Sequence, residues 1–217
     1  MSVVGYEKWD RYKIGSVSWI NARRTHPHRK IFVDSVDSMN INSVLEVGAG
    51  ELIEYQQIKE NNPDIVYTVV DVSDVFLGHC KSTFPEVHTF KMPMEEISVD
   101  VVGRHDMVYV ASILEHSKDV SIAVSNLMSV GNHFRFVLFK WNYEGNLVPK
   151  YQKRKKYWSS EFNIRMLLDK ISKYGTIEGC DVAKAGGGIV NFEKYSSGRS
   201  GICRTGDYLM ISGKCGH

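Results

Sequence analysis

Short runs of β-branched and aromatic residues alternate with longer helical stretches through the middle of this chain, and that alternation constrains its fold most. Ser43 to Val47 (S-V-L-E-V) reads as a buried strand ending at Gly48. Leu52 to Glu60 reads as a helix, stopped by Asn61-Asn62-Pro63 because proline cannot continue it. Ile65 to Asp71 is a second strand, and Asp74 to Phe84 a second helix halted before Pro85. Val87 to Lys91 and Asp106 to Ser112 read as the third and fourth strands. Val120 to Val130 is helical, with Ile122, Val124, Leu127 and Met128 as its apolar positions and Gly131 as its stop. Phe134 to Trp141 is a fifth strand. Ser159 to Tyr174 has helical period, with Phe162, Met166, Leu167 and Ile171 on one face and Ser159 or Ser160 as the cap ahead of Glu161. Thr176 to Val182 and Tyr208 to Ser212 are late strands.

Strands alternating with helices imply βαβ units, a mostly parallel sheet and helices on both faces, so the fold class is α/β. In such sheets a ligand sits beyond the carboxyl ends of the strands, where the strand order reverses. Chemistry is therefore sought at those ends.

Composition narrows the class further. The chain has 217 residues, 43% of them apolar, with 18 Gly and 5 Pro, which excludes collagen, a disulfide mini-protein and a disordered chain. That length suits one domain. Lys+Arg number 27 against 25 Asp+Glu, a net charge of +2, which argues against a polyanion-coating protein. No apolar run reaches the roughly 18 residues of a membrane span, and the N-terminus lacks a signal peptide's apolar core, so a cytoplasmic location with no membrane partner is expected. The four cysteines form no C-x-x-C pair and read as free thiols. Cys203, Cys215 and His217 are too loosely spaced for a structural zinc site, and no metal is expected.

The most informative stretch is Val44-Leu45-Glu46-Val47-Gly48-Ala49-Gly50-Glu51, a buried strand that runs into two glycines and then a helix. Glycines there allow a sharp turn and a close ligand approach, and the helix start offers unpaired N–H groups. A dinucleotide fingerprint would want a third glycine where Ile53 stands, and Glu51 is a poor neighbour for a pyrophosphate. Glu46 is an acid inside an apolar strand, which is costly unless a cation accompanies it. Asp71 ends the second strand, 25 residues after Glu46.

This pattern resembles the class I S-adenosylmethionine (SAM) methyltransferases, whose first motif is acid-x-G-x-G and whose second is an acid ending the second strand. The stretch Asp106 to His116, D-M-V-Y-V-A-S-I-L-E-H, is similar to the D-x-V…L-E-H of small-molecule members. The resemblance covers about residues 40 to 182 and the late strands. It implies a three-layer Rossmann-like sandwich on a seven-stranded sheet, mostly parallel with an antiparallel last strand. It further implies an N-terminal lid over 1–40, a SAM-binding core over 41–182, and a long loop with a final strand over 183–217. The implied cofactor is SAM, held by Glu46, Gly48, Ala49, Gly50, Asp71, Val72, Met94, Glu95, Ala111 and Ser112. In the adenine loop the family's acid-plus-small pair is replaced by Pro93-Met94, with Glu95 adjacent.

On the acceptor side, His116 is the candidate general base, since its ordinary pKa near about 6.5 suits proton abstraction. Its alternative role is to shape the pocket. Lys140, Trp141 and Tyr143 follow the fifth strand, and Tyr6, Trp9 and Tyr12 form an aromatic lead-in similar to the segment that closes over SAM in small-molecule members. Two basic runs, Arg23 to Lys30 and Lys150 to Lys156, suit either solvated surface or an anionic acceptor. The expected activity is methyl transfer to an oxygen or nitrogen of a small, anionic or neutral acceptor. The alternatives are RNA methylation through residues 150–156 and a non-catalytic SAM-binding protein. The nucleic-acid motifs N/D-P-P-Y/W and Pro-Cys do not follow the fourth strand. The lysine–aspartate–lysine–glutamate pattern of ribose methylation lacks its aspartate there. The stretch Ala185 to Arg204 is read as a flap or a plain loop.

Overall fold

The computed structural model describes residues 6–15, 26–139, 141–142, 150–152, 157–159, 162–184, 188–192 and 207–216. Its centre is one eight-stranded sheet. Strands β1 (Ser43–Val47), β2 (Val66–Asp71), β3 (His88–Lys91), β4 (His105–Ala111) and β5 (Gly131–Leu138) are parallel neighbours. Strands β6 (Gly175–Ala183), β7 (Ile189–Asn191) and β8 (Tyr208–Cys215) add an antiparallel flank. The spatial order is β7-β6-β8-β5-β4-β1-β2-β3. The order reverses between β1 and β4, so a ligand crevice is expected above those two strands.

The helices are α1 (Pro27–Ser38), α2 (Ile53–Asn61), α3 (Asp74–Thr83), the short α4 (Val99–Val102), α5 (Val120–Ser129) and α6 (Ile164–Ile171). They cover the two faces separately. On one face Leu45, Val47, Val108 and Val110 pack against Val124, Leu127, Leu167 and Ile171 of α5 and α6. On the other, Val44, Val69 and Tyr109 pack against Phe32, Val36, Tyr55 and Leu77 of α1 to α3. Successive residues of a strand point to opposite faces. Glu46 therefore faces the α1–α2 side with Val44, and it lies in register with Val69 and Tyr109.

Several expectations need correction. The sheet has eight strands rather than seven, because Ile189–Asn191 pairs with the end of β6. Three residues are too few to show a period of two, so the sequence carries no strand signal there. Gly131 does not merely stop α5 but opens β5. The helix expected from Ser159 starts at Ile164. Ser159 ends a short strand, Phe162–Asn163 pairs with Trp141–Asn142, and the Asn163 side chain caps α6 by accepting from the Met166 N–H at 3.3 Å. Ile164 thus joins Leu167 and Ile171 on the buried face, while Met166 is exposed. Helix α1 is not among the elements expected from the sequence, because its basic start masks its apolar face. Pro27 occupies its first turn, where a missing N–H costs nothing, and Phe32 stacks on Tyr109 at 3.6 Å.

Candidate active site

Two adjoining cavities open beyond the carboxyl ends of β1, β2 and β4. The larger, about 380 Å³, is lined by Glu46, Gly48, Ala49, Gly50, Ala111, Ser112 and His116, with Lys8, Trp9, Tyr12, Arg29, Glu54, Phe139 and Tyr208 among its walls. The smaller, about 60 Å³, is lined by Tyr6, Trp9, Gly48, Gly50, Asp71, Val72, Phe76, Met94, Ile113 and His116, among others. Trp9, Gly48, Gly50, Ile113 and His116 belong to both and form the wall where the two adjoin.

The glycine turn is built as its sequence demands. Gly48 has φ of +72°, and a Cβ there would lie 2.2 Å from the Cγ1 of Ile113. Only glycine therefore fits, on both conformational and steric grounds. Gly50 has φ of +58°, with open space where a Cβ would project. Ser112, at the end of β4, carries φ of +59° with a full side chain. A non-glycine residue held in that region is costly and recurs at functional sites. Its N–H is fixed by the Val137 carbonyl at 2.8 Å.

Asp71 ends β2 and is buried, and its Oδ1 accepts from the Ser73 N–H at 2.9 Å. Burial pushes its carboxyl up to about 6, opposed by the backbone N–H groups of Ser73, Val72 and Gly50. Its position suits acceptance of two hydroxyl hydrogen bonds from a sugar diol.

Glu46 and Glu54 share the larger cavity. Glu46 accepts from the Tyr67 hydroxyl at 2.7 Å. Glu54, in the first turn of α2, forms an ion pair with Arg29 of α1 and accepts from Tyr109 at 3.4 Å. Burial raises the Glu46 carboxyl well above the ordinary range, and the charge of Glu54 adds to the rise. Arg29, part of a basic run that suits either solvated surface or an anionic acceptor, is turned inward to Glu54 and lines the larger cavity. His28 beside it is buried, within 2.7 Å of the His26 ring and stacked on Tyr208 at 4.7 Å.

His116 is buried between the Trp9 ring, 4.8 Å away, and Phe139, 6.1 Å away. Its Nδ1 lies 2.9 Å from the Trp158 carbonyl oxygen. A carbonyl can only accept, so Nδ1 carries the hydrogen in this contact.

The N-terminal segment crosses the mouth as a strap. The Trp9 carbonyl accepts from Ser73 Oγ at 3.0 Å, Asp10 Oδ1 from the Asp74 N–H at 2.9 Å, and Glu51 from the Gly15 N–H at 2.9 Å. Tyr12 stacks on Phe76 at 6.3 Å. Along this strap Trp9 lines both cavities, Tyr12 the larger and Tyr6 the smaller.

Two expected residues stand elsewhere. Trp141 is fully buried in the core and lines neither cavity, because the chain after β5 turns inward to pair with Phe162–Asn163. Glu95 is engaged by other groups: its Oε1 accepts from Ser117 Oγ at 2.7 Å and from the N–H groups of Lys118 and Asp119 at 2.5 and 3.1 Å. The Tyr6 hydroxyl approaches both Glu95 oxygens at 3.3 Å. Glu95 thus fastens the segment after His116 to the loop carrying Met94. Lys140, Tyr143, Arg23, Arg24, Lys153 to Lys156 and most of 185–204 lie outside the described residues, as do Cys203 and His217. Lys8, Glu54, Phe139 and Tyr208 carried no signal as site residues, since each reaches the cavity only through tertiary packing.

No family model and no curated protein matches this sequence. Solved structures do match it. The N-terminal domain of EvdMO1 with S-adenosylhomocysteine (SAH) bound superposes with a TM-score of 0.62 at 12% identity, covering 87% of this chain and 80% of that one. A 1,6-didemethyltoxoflavin-N1-methyltransferase from Burkholderia thailandensis, with its namesake compound and SAH bound, gives 0.63 at 14%, covering 94% and 83%. The methyltransferase domain of bacterial CtHen1 gives 0.59 at 15%, covering 86% and 97%. The fold is that of the class I SAM-dependent methyltransferases. The eight-stranded sheet with its antiparallel flank is this chain's version of it.

Proposed function

We propose that this chain is a SAM-dependent methyltransferase that transfers a methyl group to an oxygen or nitrogen of a small acceptor. The observation that carries the reading is the Gly48–Gly50 turn lining two adjoining cavities at the reversal of strand order, with Asp71 in the smaller one. These residues fit the cofactor. A buried carboxylate lines the small cavity where a ribose diol would need acceptors, and the glycine turn lets a ligand approach the backbone. Asp71 binds the ribose, Met94 and Val72 line the adenine end, and Glu46 faces the amino-acid end. Ala49, Ala111 and Ser112 line the larger cavity beside it. Glu95 acts as a positioning residue.

When bound, SAM supplies a methyl carried on a sulfonium, which departs as a neutral thioether. The protein's part is to align the acceptor with that methyl and to exclude water. The Trp9 ring, with Lys8 Nζ 4.3 Å from its centre and Tyr12 stacked on it at 5.6 Å, walls the site where the two cavities adjoin. His116 Nε2 takes the proton of an acceptor hydroxyl or amine as the new bond forms. The acceptor occupies the part of the larger cavity walled by Trp9, Tyr12, Phe139 and Tyr208.

The test is calorimetric titration of SAH into the wild-type protein and Asp71→Ala. Micromolar binding that weakens at least about tenfold in the variant is expected, from the loss of charge-assisted hydrogen bonds. No binding to either would overturn the reading. Binding with no labelled methyl passing to any compound in an acceptor screen would favour a non-catalytic cofactor-binding protein.

A further inference from the structure

Arg29 reaches the wall of the larger cavity from α1, and its side chain is mostly buried. Glu54 engages its Nη1 and holds the guanidinium in place. Its Nε is buried and meets no hydrogen-bond partner among the described residues. A buried N–H without an acceptor is costly, and few persist without a ligand to account for them. The edge left by Glu54, Nε with Nη2, carries two parallel N–H donors. That arrangement matches the two oxygens of a carboxylate.

The acids that share this cavity leave room for an anion. Glu54 is engaged by Arg29, and Glu51 accepts from the Gly15 N–H at 2.9 Å. Burial raises the Glu46 carboxyl well above the ordinary range, which favours its neutral form. Lys8 adds a second cation to the lining. The other walls are rings. Tyr12, Trp9, His116 and Phe139 form one row, with successive centres 5.6, 4.8 and 6.1 Å apart. His28, next to Arg29 on α1, stacks on Tyr208 at 4.7 Å, and both rings line the same cavity. Ring walls with a few fixed polar groups select a flat apolar body and set its orientation.

Resting on the methyl-transfer reading above, we propose that the acceptor is an aromatic carboxylic acid bearing a hydroxyl or amino group, with its carboxylate held by the Nε–Nη2 edge of Arg29. The ring lies among the ring walls, and its hydroxyl or amine is the methylated group. In the transfer that oxygen or nitrogen bonds the methyl carbon as the carbon–sulfur bond breaks. Its proton passes to His116 Nε2, and the carboxylate stays on Arg29 unchanged. Glu54 is then a positioning residue that orients the guanidinium.

The experiment is calorimetric titration of 2-, 3- and 4-hydroxybenzoate, and of the matching hydroxybenzamides, into SAH-saturated protein at neutral pH. At least one acid should bind, and its amide should bind at least about tenfold more weakly. The saturated 4-hydroxycyclohexanecarboxylate should bind more weakly than 4-hydroxybenzoate. Arg29→Lys keeps a charge beside Glu54 but loses the fork. It should weaken the acid at least about tenfold while SAH affinity stays within a few-fold, with circular dichroism checking the fold. If that variant is unfolded, the wild-type comparison of acid with amide decides alone. Binding of none of the acids, or equal binding of acid and amide, would overturn the inference. Equal binding of the saturated acid would overturn the aromatic class. Weakened SAH with unchanged acid binding in Arg29→Lys would overturn it too, by giving the fork to the cofactor's own carboxylate. Absence of SAH binding to the wild-type protein would overturn the cofactor reading, and this inference with it.

Discussion

The two cavities are made differently. The smaller takes most of its lining from the ends of β1 and β2 and the loop after β3, elements that follow one another along the chain, and is closed by Tyr6 and Trp9 of the strap, Phe76 of α3, and Ile113 and His116 after β4. Its shape depends on the backbone: a turn that requires φ of +72° at Gly48, and an acid at the last position of a parallel strand. The larger cavity draws Lys8 and Trp9 from the strap, Arg29 from α1, Phe139 from beyond β5 and Tyr208 from β8. Its walls are side chains brought together by packing. The difference teaches which half tolerates change. A backbone-built pocket survives most side-chain drift provided a few positions are kept. A pocket built from side chains can be refitted to another acceptor without disturbing the sheet.

The sharpest way to break the comparison is His116→Ala. If His116 is the base of the larger cavity, the rate constant kcat with an identified acceptor should fall about 10²–10⁴-fold. SAH affinity by calorimetry should stay within a few-fold. An equal loss of both would mean that the residue belongs to the cofactor half.

A smaller effect, spread over both halves, is expected from Gly48→Ala. The new methyl would meet Ile113, which lines both cavities, and would sit at a positive φ. A stability loss of about 1–3 kcal/mol is expected by denaturant titration, together with weakened SAH binding. An unchanged denaturation midpoint with full binding would show that the turn is softer than its geometry implies.

The smallest effect is a pH dependence that isolates the cofactor half. The Asp71 carboxyl is raised from 3.8 to about 6 in the folded chain. In the free protein this raised group favours the fold at low pH, and that contribution is lost as pH climbs from about 4 through 6. A bound diol needs the ionised carboxylate, so ligand affinity has the opposite sign and falls as pH drops below about 6. 5′-Methylthioadenosine, free of the amino-acid end, should lose affinity by up to about tenfold per pH unit there, and Asp71→Asn should flatten the profile. A flat wild-type profile between pH 5 and 7 would remove Asp71 from the ribose site.

Much of the parallel half of the sheet was legible in the residues. β-Branched runs bounded by glycine or proline place β1, β2 and β4 to within a residue or so. The helix α6 start was not legible, because Ser159, Ser160 and Asn163 are all good caps and only the pairing of Phe162–Asn163 with Trp141–Asn142 selects the last. Glu95 was legible as an acid in the right loop but not in its use. Which donors an acid meets depends on the segment Ser117–Asp119, more than twenty residues away.

The sequence alone determined the α/β alternation, the glycine turn after β1 and the acid that ends β2. These depend on local backbone preference and on a periodicity that neighbouring residues carry themselves. Tertiary structure alone decided that Arg29 turns inward to Glu54, that Trp141 sinks into the core and that Tyr208 reaches the cavity from the last strand. Each outcome depends on which distant element is packed alongside, and burial then sets charge and hydrogen bonding in ways that spacing along the chain does not encode.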